Sequence, residues 1–161
     1  MKGYNLKFNR GDYNSIEFYK LICEKFGFIG SFEEFKSLWA NLFSLNEEIS
    51  DYYMDLHKRG ITIILASNTD PIHYSYILKR WKLGFLNSAF LSYEHKVIKP
   101  DLNFYSSLTK FGNLDPENCI FIDDLEENVK SAKDYGYSVI HHKENYSTIE
   151  KIERFLNAVR N

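Results

Sequence analysis

Cysteine is scarce in this sequence. Cys23 and Cys119 are its two examples, far apart, one in a helical pattern and one opening a strand. Two thiols without framework spacing cannot staple a small secreted fold, and neither has a His or Cys neighbour that would suggest zinc. Long hydrophobic runs are missing too. The longest, Ile61 to Ala66, is far too short to span a bilayer, and Met1 to Arg10 holds no signal-peptide core. A net charge of -2 leaves no basic footprint for nucleic acid. The 13 Phe and 12 Tyr are scattered, which suits core filling rather than a base-stacking platform. What remains is a soluble cytoplasmic domain: 161 residues suffice for one proper core, and 44% hydrophobic with 26% charged residues is ordinary globular composition.

The first third of the chain is helical in pattern. Met1 to Asn14 has no clear period and is expected to be an irregular lead-in. Ser15 can cap a helix through Phe26, with Ile16, Tyr19, Ile22 and Phe26 at helical spacing and Gly27 as its stop. Ser31 followed by Glu34 is a capping-box signature for a helix from Phe32 to Phe43. Asn46 opens a third helix, through Lys58, and Gly60 ends it. After Gly60 strands begin to alternate with helices. Strands are expected at Ile61–Ala66, Ala89–Ser92, Cys119–Ile122 and Tyr137–Ile140. Helices are expected from Pro71 to about Lys82, from Asp101 to Phe111, from Leu125 to Tyr135 and from Thr148 to Val159. Such alternation predicts an α/β fold, a Rossmann-like parallel sheet with helices on both faces.

Three of these strands deliver polar groups to one edge. The first ends in Ser67 and Asn68, Lys99 lies in the loop after the second, and the third runs into Asp123 and Asp124. Open α/β sheets place their ligands at such carboxyl ends. Adjacent carboxylates repel unless a cation lies between them, and oxygen-only donors suit magnesium. Hydroxyl and backbone N–H groups at a strand-to-helix junction can hold phosphate oxygens, and a lysine adds positive charge. The plainer reading of the acids is a helix cap, with Glu126 and Glu127 in the first turn favouring the dipole. Ser67 reads equally as a cap and Lys99 as a solvated loop lysine. Their order at successive strand ends is what points to phosphoryl chemistry. No serine sits in a nucleophile elbow, and the neighbouring His141 and His142 point to opposite faces and make a poor metal pair.

On these residues the chain resembles the haloacid dehalogenase-like hydrolases, which are mostly magnesium-dependent phosphatases. ILASNT is similar to that family's second motif, which would make Ser67, with Asn68 beside it, the phosphate-binding group. IKPD is similar to the third, with Lys99 steadying nucleophile and phosphate. IFIDDLEENV is similar to the fourth, implying Asp124 as the direct magnesium ligand and Asp123 beside it. Phe8 to Tyr19 is similar to the opening of a helical cap, so residues 12–44 are expected to form a cap portion that shapes substrate choice. Residues 45–161 would be the α/β core. The implied substrate is a small phosphorylated metabolite.

One departure from the family matters for activity. Its first strand ends in Asp-x-Asp, which carries the nucleophile, and no Asp-x-Asp occurs anywhere in this sequence. In the family that strand lies between the strand ending at Ser67 and the one ending at Asp123. Without it two strand edges would face each other unpaired. The sequence therefore reads as a truncated phosphatase, open to self-association or to a complementing N-terminal segment. A rival expectation is that the two strands close directly on each other. In function, a phosphohydrolase inactive without an external aspartate stands against a degenerate member that binds magnesium, phosphate or a protein partner. A receiver domain is set aside because Lys99 precedes Asp123 here.

Overall fold

Phe8 organises the first part of the molecule. It is fully buried and stacks on Phe18 with ring centroids 4.1 Å apart, while Tyr4 meets Phe26 edge-on. The computed structural model describes residues 2–159, and in it these contacts shape Lys2–Asn9 into helix α1. The expected irregular lead-in is thus corrected. One apolar pair four residues apart is too little period to read, and burial of Phe8, about 2–3 kcal/mol, supplies what local propensity does not. Helix α2 (Ser15–Phe26) is capped by Asn14 rather than by Ser15. Asn14 accepts from Ile16 and Glu17, and the Glu17 side chain returns to the Asn14 backbone. Helix α3 (Phe32–Ala40) carries the Ser31–Glu34 capping box. Between α1 and α2 the chain turns at Gly11 (φ 76°), where a Cβ would collide with Tyr93 O. With Ile72 and Tyr76 of a later helix, α1–α3 enclose an aromatic cluster of Phe8, Phe18, Phe35 and Trp39.

Helix α4 (Glu47–Lys58) leads to strand β1 (Ile64–Ser67) and helix α5 (Pro71–Arg80). Strand β2 (Ser88–Leu91), the short helix α6 (Ser92–His95) and helix α7 (Leu102–Gly112) follow. Strand β3 (Ile120–Asp123), helix α8 (Glu126–Tyr135), strand β4 (Ser138–His141) and helix α9 (Asn145–Val159) complete the chain. The α/β alternation and parallel pairing are as expected, with boundaries shifted by a few residues. Among the described residues no helix is long and apolar enough to cross a membrane.

The strands form two separate parallel pairs, β1 with β2 and β3 with β4. Strands β1 and β3 do not close on each other, so the rival expectation of a direct closure fails. Ile63 O accepts from Asn87 and Asp123 O from His142. By alternation along a strand, the backbone groups of Ile64 and Ala66 on one side, and of Ile120 and Ile122 on the other, face the seam between the pairs. Side-chain layers nevertheless run across it. Ile64 and Ala66 join Phe90, Phe104, Tyr105 and Phe121 on the face covered by α7 and α8. Ile61 and Ile63 join Ile120, Ile122 and Ile140 on the face covered by α4 and α9. Tyr52 of α4 and Arg59, which ends it, both donate to Glu153 of α9, at 2.8 Å and 2.6 Å. Helices on both faces hold the two half-sheets together.

Candidate functional site

Strand β1 stops at Ser67 because the next turn spends its backbone elsewhere. Thr69 N–H donates to Ser92 Oγ at 2.9 Å, and Asp70 caps α5 by accepting from the Ile72 and His73 N–H groups. Asp70 is fully buried. Its other oxygen lies 2.6 Å from His73 Nδ1 and accepts from Trp39 Nε1 at 3.1 Å. The Trp39 carbonyl in turn lies 2.7 Å from His73 Nε2. Ser92 Oγ lies 2.5 Å from Asn9 O, tying the end of α1 to the same turn. Ser67 itself closes the strand half-buried, and the capping role suggested for it belongs to Asp70.

Strand β3 delivers Asp123 to the same edge. Its Oδ1 accepts from Leu125 N–H and from Asn128 Nδ2, both at 2.9 Å, and its Oδ2 lies 2.6 Å from Lys99 Nζ. Lys99 Nζ also donates to Ala66 O at 2.9 Å, so one ammonium bridges the seam between β1 and β3. The rings of Phe104 and Phe121 stand 5.7 Å and 5.5 Å from it. Side-chain exposure is 9% for Lys99 and 5% for Asp123. Burial pushes the Asp123 carboxyl up. The Lys99 charge and hydrogen bond, with Asn128 and the Leu125 N–H, outweigh it and hold the group below the usual carboxylate range.

The structure therefore gathers Ser67, Asn68, Lys99 and Asp123 at one end of the sheet. Asp124 follows on the exposed side of Asp123, with its carbonyl 3.0 Å from His141 Nε2. The cap reading of the acids is only partly met: Leu125 occupies the cap position of α8, and Asp123 bonds its N–H. Asn68 differs from expectation in its partners. Both ends of its amide are taken by the Lys99 backbone, Nδ2 to Lys99 O and Oδ1 from Lys99 N–H, each at 2.9 Å. Asn128 was not a sequence candidate. It lies on the first turn of α8, where its amide reaches back to Asp123, and its Oδ1 is buried without a hydrogen-bond partner.

For a divalent cation the donor chemistry fits magnesium: two adjacent carboxylates at the end of β3 offer oxygen donors only. Asp123 offers little beyond its existing bonds, which leaves Asp124 as the freer donor. Among the described residues no group of three or more His, Cys, Asp or Glu side chains converges. His142 is turned to Thr148 Oγ1 at 2.8 Å, whereas His141 Nε2 lies 3.0 Å from Asp124 O.

Comparison with known proteins identifies the family and the fold. Residues 17–136 match the haloacid dehalogenase-like hydrolase family. A HAD family enzyme from Bacteroides thetaiotaomicron superposes with a TM-score of 0.85 at 27% identity, covering 92% of this chain and 78% of that one. Its complex with magnesium and inorganic phosphate superposes at 0.83 with 26% identity, covering 91% and 78%. A predicted HAD-like hydrolase from Porphyromonas gingivalis, at 23% identity and a TM-score of 0.81, covers 96% of this chain and 79% of its own and shares the fold. The chloroplast flavin mononucleotide hydrolase 1 of Arabidopsis thaliana is 38% identical over 74 residues, or 45% of this chain. The chain spans 30% of that relative's length.

Proposed function

This chain belongs to the haloacid dehalogenase-like hydrolases, and from that we propose that it carries the phosphate- and magnesium-handling part of a phosphohydrolase for a small phosphorylated metabolite. The observation that carries the proposal is the buried Lys99–Asp123 pair, set across the seam at the carboxyl ends of β1 and β3. In this reading the Ser67 hydroxyl and the Asn68 backbone N–H hold phosphate oxygens, and Lys99 neutralises charge. Asp124, with Asp123, holds magnesium, which would supply further positive charge to the phosphate oxygens. Residues 12–44 act as a cap portion that selects substrate, over a core of residues 45–161. The two free thiols keep the cytoplasm as the proposed compartment.

No Asp-x-Asp occurs in the sequence. In the phosphohydrolase reading the nucleophile therefore comes from an extended segment of other sequence that enters the seam and pairs with the edges of β1 and β3. The half-buried state of all four β1 residues supports an edge that accepts such a partner. The bound magnesium and phosphate of the Bacteroides structure, and the name of the Arabidopsis relative, make flavin mononucleotide a reasonable first substrate to assay. The same absence of Asp-x-Asp favours a second reading, a non-catalytic member that binds magnesium, phosphate or a partner.

The test is to assay flavin mononucleotide and p-nitrophenyl phosphate with magnesium, with and without a synthetic apolar peptide ending in Asp-x-Asp. The phosphohydrolase reading expects turnover with the peptide and none when its first Asp is Asn. Magnesium and phosphate binding without turnover under any condition would favour the second reading.

A further inference from the structure

Lys99 lies in a turn between α6 and α7, outside any strand, so no ladder fixes its main chain. Instead both its backbone groups are taken by one side chain, that of Asn68, at 2.9 Å each. An amide pairing N–H to C=O in both directions reads a single peptide geometry, because its donor and acceptor sit in a fixed plane. Beyond it, Pro100 O accepts from Ser131 Oγ of α8 at 2.5 Å. At the far end of the same residue, Nζ donates to Ala66 O, two positions before Asn68. Lys99 is thus held to the end of β1 at both its backbone and its tip, and on β3 it pairs with Asp123 and stands over the Phe121 ring.

We propose that Asn68 is the positioning residue for Lys99: its amide fixes the lysine backbone so that the ammonium bridges Ala66 and Asp123. This rests on the phosphohydrolase reading for its purpose, but not for its test. It assigns the Asn68 side chain a task other than holding phosphate: Oδ1 and one Nδ2 hydrogen are committed to the Lys99 backbone. It also divides the work of the β1 terminus. Ser67 keeps its hydroxyl for a ligand, while Asn68 serves the charge that meets that ligand. With two of its three hydrogens committed to Ala66 O and Asp123, the ammonium retains one donor for an incoming oxygen.

The experiment is ¹⁵N–¹H NMR of lysine ammonium groups on the full chain, with the Lys99 signal assigned by its loss in Lys99→Met. A buried, doubly hydrogen-bonded ammonium exchanges slowly enough to be seen. The informative variant is Asn68→Asp, which keeps the size of the side chain and its acceptor for Lys99 N–H but turns an oxygen on Lys99 O. The expected result is loss of the Lys99 signal in Asn68→Asp and its retention in Ser131→Ala, which removes a hydrogen bond from the same turn without touching Lys99. A merely structural role for Asn68 would lower the melting temperature and leave the signal in place. Retention of the signal in Asn68→Asp, or no protected Lys99 ammonium in the unmodified chain, would overturn the proposal. Neither measurement needs turnover, so failure of the phosphohydrolase reading stays distinguishable.

Discussion

Lys99 Nζ and Asp123 Oδ2 lie 2.6 Å apart with little of either side chain exposed, and each is the other's main compensation for leaving water. Removing one partner strands a buried charge, which typically costs about 3–5 kcal/mol. Lys99→Met is expected to lower stability by an amount in that range, measured by urea unfolding. A loss no greater than that of a surface substitution would show that the pair is not buried in solution.

The same pair sets a pH dependence. The folded state holds the Asp123 carboxyl below its usual range, so in mildly acid solution the unfolded chain binds more protons there. The stabilisation is therefore present above the ordinary carboxylate range and is lost as pH falls through the depressed folded value. Denaturant midpoints taken through the acid range should fall accordingly, and Lys99→Met should lack that fall.

Asp123 and Asp124 are adjacent in sequence yet should respond oppositely to substitution. Asp123→Asn removes a carboxylate bonded to Lys99, Asn128 and Leu125, and is expected to destabilise strongly. Asp124→Asn alters an exposed side chain and should stay within about 0.5 kcal/mol. If Asp124 is the freer magnesium donor, its variant loses the rise in melting temperature that magnesium chloride gives the unmodified chain. An unchanged rise in Asp124→Asn would remove that residue from the proposed site.

Asp70→Ala tests the turn that follows Ser67. It deletes the α5 cap, worth about 1 kcal/mol, and leaves Trp39 Nε1 and His73 Nδ1 without their buried acceptor at about 1–3 kcal/mol more. A total loss of about 2–4 kcal/mol is expected on thermal or urea unfolding. A near-neutral result would mean that the Asp70–Trp39–His73 set is not formed.

The seam itself is open to hydrogen exchange. The amides of Ile64, Ala66 and Ile122 face it, whereas those of Leu65 and Phe121 point into ladders. The first group should exchange faster than the second on the chain alone, and slow when a peptide fills the seam. Equal protection in the two groups would mean that the strands pair in solution.

The sequence made the strand ends legible because short apolar runs stop abruptly at polar residues, which is how Ser67, Lys99 and Asp123 could be placed on one edge. The separation of the two half-sheets was legible too, though only through the missing Asp-x-Asp of the family it resembles. Helix α1 was not, because Tyr4 and Phe8 find their partners on α2 and no local period announces them. Asn14 and Ser15 are both good caps in sequence, and the return bond from Glu17 decides between them. The pairing of Asn68 with Lys99 was hidden for another reason. A contact with a residue 31 positions away leaves no mark in local pattern.

Hydrogen bonds at two places join the layer of α1–α3 to the strand ends: Ser92 Oγ to Asn9 O, and Asp70 and His73 to the Trp39 Nε1 and carbonyl. Bonds at Asn9 and at Trp39 grip the layer at two separated places, so a rigid slide or lift of the layer away from the strand ends would break them. Both anchors flank the turn that begins at Ser67, one through Thr69 and one through Asp70. A ligand that displaced the layer would load these bonds beside the residue proposed to receive the phosphate.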